Sequence, residues 1–124
     1  MWLDRSLSAF VLDLEKRGLL ASTLVLAVGE FGRSPKINDK AGREHHPNCY
    51  SALVAGGGVK GGHAHGATDE FGFKAAEDRV SVHDLHATIL HLMGLDHEKL
   101  TFRHAGRDFR LTDVFGKVIK DVLA

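Results

Sequence analysis

The sequence has little of what several function classes require. Cys49 is the single cysteine among 124 residues, which excludes an intrachain disulfide and any zinc finger built on cysteine pairs. Charge of one sign is also missing: 16 Lys+Arg balance 16 Asp+Glu, so the chain carries no overall basic field of the kind a dedicated nucleic-acid binder uses. No run approaches the roughly 18 consecutive apolar residues of a membrane span. The opening MWLDRSLSAF has no basic segment followed by an apolar core, so no secretory signal is visible and the compartment is left open. Gly-x-Ser-x-Gly is absent, and no Ser, Thr or Cys lies in a context that would activate it. No catalytic nucleophile is therefore assigned.

What remains is an ordinary globular balance, 44% hydrophobic and 26% charged, in a length that suits one domain or part of one. Gly (14) and His (9) are abundant and cluster where the chain changes character. Residues 3–17 place Leu3, Leu7, Phe10, Val11 and Leu14 at spacings of three and four, the signature of an amphipathic helix. Lys16 and Arg17 complement its C-terminal dipole, and Gly18 stops it. Residues 23–28 (TLVLAV) and 50–55 (YSALVA) are apolar without alternation, as in strands buried on both faces of a parallel sheet. Loops follow each, over 34–48 and 67–80. Ser81 with Asp84 three residues on approximates a capping box for a helix over 82–93 that Gly94 ends. Residues 100–111 suit a short strand or hairpin around Phe102 and Phe109. Thr112 can cap a last helix with Phe115, Val118, Ile119, Val122 and Leu123 facing inward. This order predicts an α/β unit over 1–124 with few, mostly parallel strands flanked by helices. Two strands make a poor sheet, so the pattern predicts either a homo-oligomer or membership of a larger sheet.

Several residues in this pattern can carry chemistry. Glu30 follows directly on the first strand, at the edge where open parallel sheets bind ligands, and Arg33 lies three residues further on. Alternatively Glu30 simply caps a turn or pairs with Arg33. Glu44-His45-His46 sets a carboxylate beside two imidazoles, a donor set for a divalent cation, with Pro47 stiffening the loop; adjacent loop histidines are otherwise merely solvated. Gly56-Gly57-Gly58-Val59-Lys60-Gly61-Gly62 lacks the Gly-Lys-Ser/Thr ending and the following helix of a P-loop. It reads as a tight turn from which Lys60 can still reach an anion. His63 and His65 are second-rank ligand candidates. His83, His86 and His91 suit solvated or core-edge roles, His97 and His104 carry no pattern, and Cys49 reads as buried and inert.

Three stretches in order resemble a known superfamily. Leu19–Leu26 running into Gly29-Glu30-Phe31-Gly32, then Leu53–Gly62, then Asp84-Leu85-His86-Ala87-Thr88-Ile89-Leu90-His91-Leu92-Met93-Gly94, resemble the metal-binding turn, later strand and helix of the alkaline phosphatase and sulfatase superfamily. Gly29–Arg33 and Gly42-Arg43-Glu44-His45 are similar to the Gly-Glu-Phe-Gly-Arg and Gly-Arg-Asp-His signatures of a sulfatase-like bacterial family within it. The resemblance implies a partial alkaline-phosphatase-like sandwich, a fragment forming the C-terminal portion of a larger fold. It implies a metal-dependent phosphate or sulfate ester hydrolase acting on an anionic ester. Glu30 and His45 would ligate a divalent metal ion (zinc, calcium or magnesium), and Arg33, His46 and Lys60 would steady the substrate. The nucleophile and upstream ligands of that superfamily are not in this chain, so it is expected to be inactive alone, its half-site binding metal weakly. The alternative from the residues themselves is a non-catalytic, His-rich metal-binding or oligomerisation module. Neither nucleic acid nor membrane is an expected partner.

Overall fold

The computed structural model describes residues 2–124. The chain divides into two compact units, the first ending at Arg79 and the second spanning Val80–Ala124.

The first unit opens with helix α1, Trp2–Lys16. Of its apolar stripe, Leu14 is buried and Leu7 and Val11 half-buried, while Leu3 and Phe10 stay exposed. The helix ends as its residues dictate: the Gly18 N–H donates to the Glu15 carbonyl at 2.9 Å and the Leu19 N–H to Leu14 at 2.9 Å, closing orphaned carbonyls of the last turn. A short 3₁₀ turn, Leu20–Ser22, leads into strand β1, Val25–Val28. Three further pieces of strand follow it: β2 (Gly32–Arg33), β3 (His45–His46) and β4 (Ala52–Ala55). β1 pairs with β4 and β2 with β3. β5 (Ala67–Thr68) and β6 (Ala75–Glu77) form a third small ladder with an irregular register.

These pairings correct the expected fold class. Both apolar strands exist where the composition places them, but β1 and β4 run antiparallel, with Val25 opposite Ala55 and Val28 opposite Ala52. Every sheet among the described residues is a two-stranded antiparallel ladder, so there is no parallel sheet flanked by helices and no alkaline-phosphatase-like sandwich. The reason lies in the connection. A parallel return to the same end of a sheet needs a long crossover, usually a helix. Residues 29–51 contain no helix, only the β2–β3 pairing, and so deliver the chain back for antiparallel pairing.

All eight residues of the β1–β4 ladder (VLAV and ALVA) are apolar. Directly opposed residues share a face, so Val25, Ala55, Ala27 and Leu53 lie on one side and Leu26, Val54, Val28 and Ala52 on the other. Only Val25 is buried. Leu26, Val28 and Leu53 are 39%, 46% and 47% exposed. The ladder has the composition of an interior element but is covered only in part, at Val25 and less fully at Ala27, Val54 and Ala55.

In the second unit, helix α2 spans Val82–Leu92. The Ser81 hydroxyl accepts the Asp84 N–H at 3.1 Å, and the Asp84 carboxylate accepts the Ser81 N–H at 2.8 Å and its hydroxyl at 2.7 Å. This is the capping box the spacing predicts. Ala87 and Thr88 are buried on the helix face that receives the end of the chain. β7 (Thr101–His104) and β8 (Arg107–Arg110) form the hairpin expected around Phe102 and Phe109, which are direct cross-strand partners with stacked rings 5.7 Å apart.

The last helix does not form. Residues 114–119 are irregular, followed by a single 3₁₀ turn, Lys120–Val122. Two of their backbone donors are taken by α2: the Lys117 N–H donates to Asp84 Oδ1 at 2.7 Å and the Ile119 N–H to Thr88 Oγ1 at 3.0 Å. Gly116, at φ +95°, sits where a Cβ would press on the His83 carbonyl at 3.0 Å and on the Ala87 side chain at 3.3 Å. A positive φ and a close approach to a helix both call for glycine and both break helical continuation. The apolar periodicity of 115–123 therefore serves a strap laid across α2.

Candidate functional site

The β2–β3 pairing places the candidate residues. Gly32 is opposite His46 and Arg33 is opposite His45. Gly32 allows this approach, because a Cβ there would run into the Cys49 carbonyl and stand 3.2 Å from the Tyr50 side chain. The Phe31 ring stacks on the His45 imidazole with centroids 3.9 Å apart, and the Arg33 guanidinium stands 5.3 Å from the Phe31 centroid. Phe31, Arg33 and His45 thus form one contiguous surface, a cation and an imidazole against one aromatic ring.

The connecting loop is held by its own side chains. Asn38 accepts the Gly42 N–H at 2.8 Å and the Lys40 N–H at 3.1 Å through Oδ1, and its amide donates to Glu44. Arg43 donates to the Ser34 and Pro35 carbonyls at 2.8 and 2.6 Å. Glu44, which with the two histidines suggested a cation ligand, is therefore engaged with Asn38. Glu30 is exposed and makes no ion pair or hydrogen bond among the described residues.

The remaining candidates disperse. His46 is buried, and its Nε2 lies 2.8 Å from the Phe73 carbonyl oxygen, to which it donates. Cys49, half-buried, donates its thiol to the Gly72 carbonyl at 3.3 Å. These two residues tie the 69–74 turn to the end of β3. Lys60 is exposed on the glycine-rich turn after β4. Because β1 and β4 are antiparallel, Glu30 leaves one end of the ladder and Lys60 the other, separated by about 10 Å of strand. A parallel sheet would have put both at the same edge. His63 and His65 have ring centroids 6.4 Å apart. Among the described residues no group of three or more His, Cys, Asp or Glu side chains is placed to hold a metal ion.

Two features escaped the sequence. In the second unit, His97 is buried and its Nδ1 is 2.9 Å from the hydroxyl of Thr112, which is wholly buried; an open cleft of about 410 Å³ lies beside them, lined by His91, Gly94, Leu95, Asp96, His97, Glu98 and Val118. In the first unit, Asn48, Lys74, Ala75 and Arg79 line a cleft of about 270 Å³. Each set joins a local run, 91–98 or 74–79, to one distant residue, Val118 or Asn48, and the buried His97–Thr112 bond spans 15 residues, so local spacing alone does not reveal them.

Comparison with known proteins replaces the resemblance drawn from the motifs. No curated protein and no solved structure matches the chain. One family model matches, and its description carries no activity and no link to sulfatases or alkaline phosphatases. Together with the antiparallel ladders, that overturns the assignment to the sulfatase-like family. With residues 2–123 covered by its model, the chain belongs to the family described as "Protein of unknown function (DUF1501)".

Proposed function

We propose that the chain is a non-catalytic association module that works by completing its β1–β4 ladder against a second copy of itself. One observation carries this reading: a ladder of eight apolar residues, apolar on both faces, with a single buried member. Burying a Val or Leu side chain stabilises by about 1.5–3 kcal/mol, so covering Leu26 and Val28, which share one face of β1, supplies a driving force that a polar edge could not. β1 pairs on one side only, and its outer edge holds no charge or proline to block a further strand. The occupant is a second copy because the chain is electrically balanced and β1 is uncharged. Two β1 edges can then meet antiparallel about a two-fold axis without repulsion, giving the isologous contact that closed dimers use.

Light scattering on the eluting protein tests this. The expected mass is twice 13.5 kDa, falling to the single-chain value in the double variant Leu26→Lys, Val28→Lys with helix content retained. A wild-type chain that stays monomeric at high concentration refutes the reading, as does a double variant that still elutes as a dimer.

A second reading concerns divalent cations, and the exposure of both Glu30 and His45 on either arm of the β2–β3 pairing favours it. Two donors hold zinc, calcium or magnesium weakly. In this reading a neighbouring chain would supply further ligands, the ion would act as a Lewis acid toward a phosphate or sulfate ester, and the exposed Arg33 would offer its guanidinium to the anionic oxygens. Zinc titration of the wild type against Glu30→Ala and His45→Ala tests it. Binding weakened by each substitution supports the site, and binding unaffected by either removes it. Turnover of p-nitrophenyl phosphate or sulfate would contradict the non-catalytic assignment.

A further inference from the structure

Two copies that meet antiparallel along β1, the contact proposed above and the one on which this inference rests, have few registers open to them. Their two-fold axis stands perpendicular to the shared sheet, so each residue is opposed by one that points to its own face. Leu26 and Val28 share one face of β1. An axis at Ala27 sets Leu26 opposite the partner's Val28 and Val28 opposite the partner's Leu26, so the exposed side chains of that face cover one another. An axis one residue earlier would set Val28 against Leu24, which lies before β1 and is already covered by the glycine-rich turn: a Cβ at Gly57 would stand 3.0 Å from the Leu24 Cβ.

That turn also fixes where charge lies. β4 runs antiparallel to β1, so its C-terminal end lies at the start of β1. The chain then folds back over the approach to β1, where the Gly57 N–H donates to the Leu20 carbonyl at 2.9 Å and the Val59 N–H to Gly56 at 3.1 Å. Lys60 leaves this turn and is exposed, while Glu30, equally exposed, leaves the other end of β1. Within one chain the two charges stand at opposite ends of the ladder. The two-fold operation brings the end of one β1 to the start of the other, with strands about 4.8 Å apart. Glu30 then faces the end that carries the partner's Lys60, and the same contact recurs across the axis.

We propose that the two copies are aligned by a reciprocal ion pair, Glu30 of each chain with Lys60 of the partner subunit. The apolar faces supply attraction without direction, because β1 carries no charge of its own. The charges at its two ends supply the direction. A parallel arrangement would bring Glu30 to Glu30 and Lys60 to Lys60, and like charges disfavour it.

Sedimentation equilibrium of the full chain, in wild type and charge-reversed forms, tests the pairing. Glu30→Lys and Lys60→Glu each set two like-charge contacts across the axis and are expected to weaken the dimer about tenfold. The double variant Glu30→Lys, Lys60→Glu restores opposite charges at both contacts, and so does an equimolar mixture of the two single variants. Both are expected to return to within about threefold of the wild type, with circular dichroism the same throughout. Added salt should weaken the wild-type dimer and strengthen those of the single variants. A monomeric wild type removes the β1 contact and the ion pair with it. A wild-type dimer that neither single variant weakens, or that both weaken without recovery in the double variant and the mixture, overturns the ion pair and leaves the β1 contact standing.

Discussion

Asp84 and Lys117, 33 residues apart in the chain, meet where the Asp84 carboxylate at the start of α2 accepts the Lys117 backbone N–H at 2.7 Å. The same carboxylate closes the capping box with Ser81. One side chain thus starts the helix and anchors the strap that crosses it. Asp84→Ala removes a cap and leaves the Lys117 N–H without a partner. We expect it to lower the stability of the second unit by about 1–3 kcal/mol, measured by urea unfolding followed by circular dichroism.

The same residue sets an acid limit. Partial burial pushes the Asp84 carboxyl up, but the Ser81 N–H and hydroxyl and the Lys117 N–H together outweigh it and hold the group below its ordinary 3.8. A carboxyl whose folded pKa is depressed contributes stability that is present above the unfolded pKa and lost as pH falls through the folded one. Stability attributable to Asp84 should therefore be full above about pH 4 and decline below it. Urea midpoints measured across that range should fall in the wild type and be flatter in Asp84→Asn.

Thr112 is wholly buried with its hydroxyl on His97 Nδ1. Thr112→Val keeps the shape and removes the partner, leaving a buried ring nitrogen unbonded. The expected cost is about 1–3 kcal/mol, read as a lowered midpoint in thermal unfolding. Thr112→Ser, which keeps the hydroxyl, should retain the hydrogen bond and lose less.

Gly116→Ala asks a residue with a side chain to hold φ +95° against the His83 carbonyl and Ala87. A destabilisation of about 1–3 kcal/mol is expected. Loss of hydrogen-exchange protection at the Lys117 and Ile119 amides would show that the strap has lifted from α2.

The elements legible in the sequence are those specified locally. α1 follows from its apolar spacing and Gly18, α2 from Ser81 and Asp84, and the β7–β8 hairpin from Phe102 and Phe109. The apolar character of β1 and β4 was equally plain. Their mutual direction was not, because residues apolar on both faces carry no mark of parallel or antiparallel pairing; the helix-free connection 29–51 decides it. The periodicity of Phe115, Val118, Ile119 and Val122 misled because a strap packed on a helix repeats its apolar contacts much as a helix would, and the bonds from Lys117 and Ile119 to α2 are invisible locally. At the candidate site, adjacency in sequence proved a poor guide. His45 and His46 point to different partners, as neighbours on a strand do: His45 meets Phe31, whereas His46 is spent on Phe73.

Hydrogen exchange at the amides of Val25–Val28, followed as the protein is diluted, reads the β1 edge itself. Pairing with β4 protects only those amides that face it, so edge-to-edge association should add slow exchange at the outward-facing amides when the chain is concentrated, and dilution to the monomer should release them. Fast exchange at the outward amides at every concentration, in a chain whose β1–β4 bonds stay protected, would contradict association through β1.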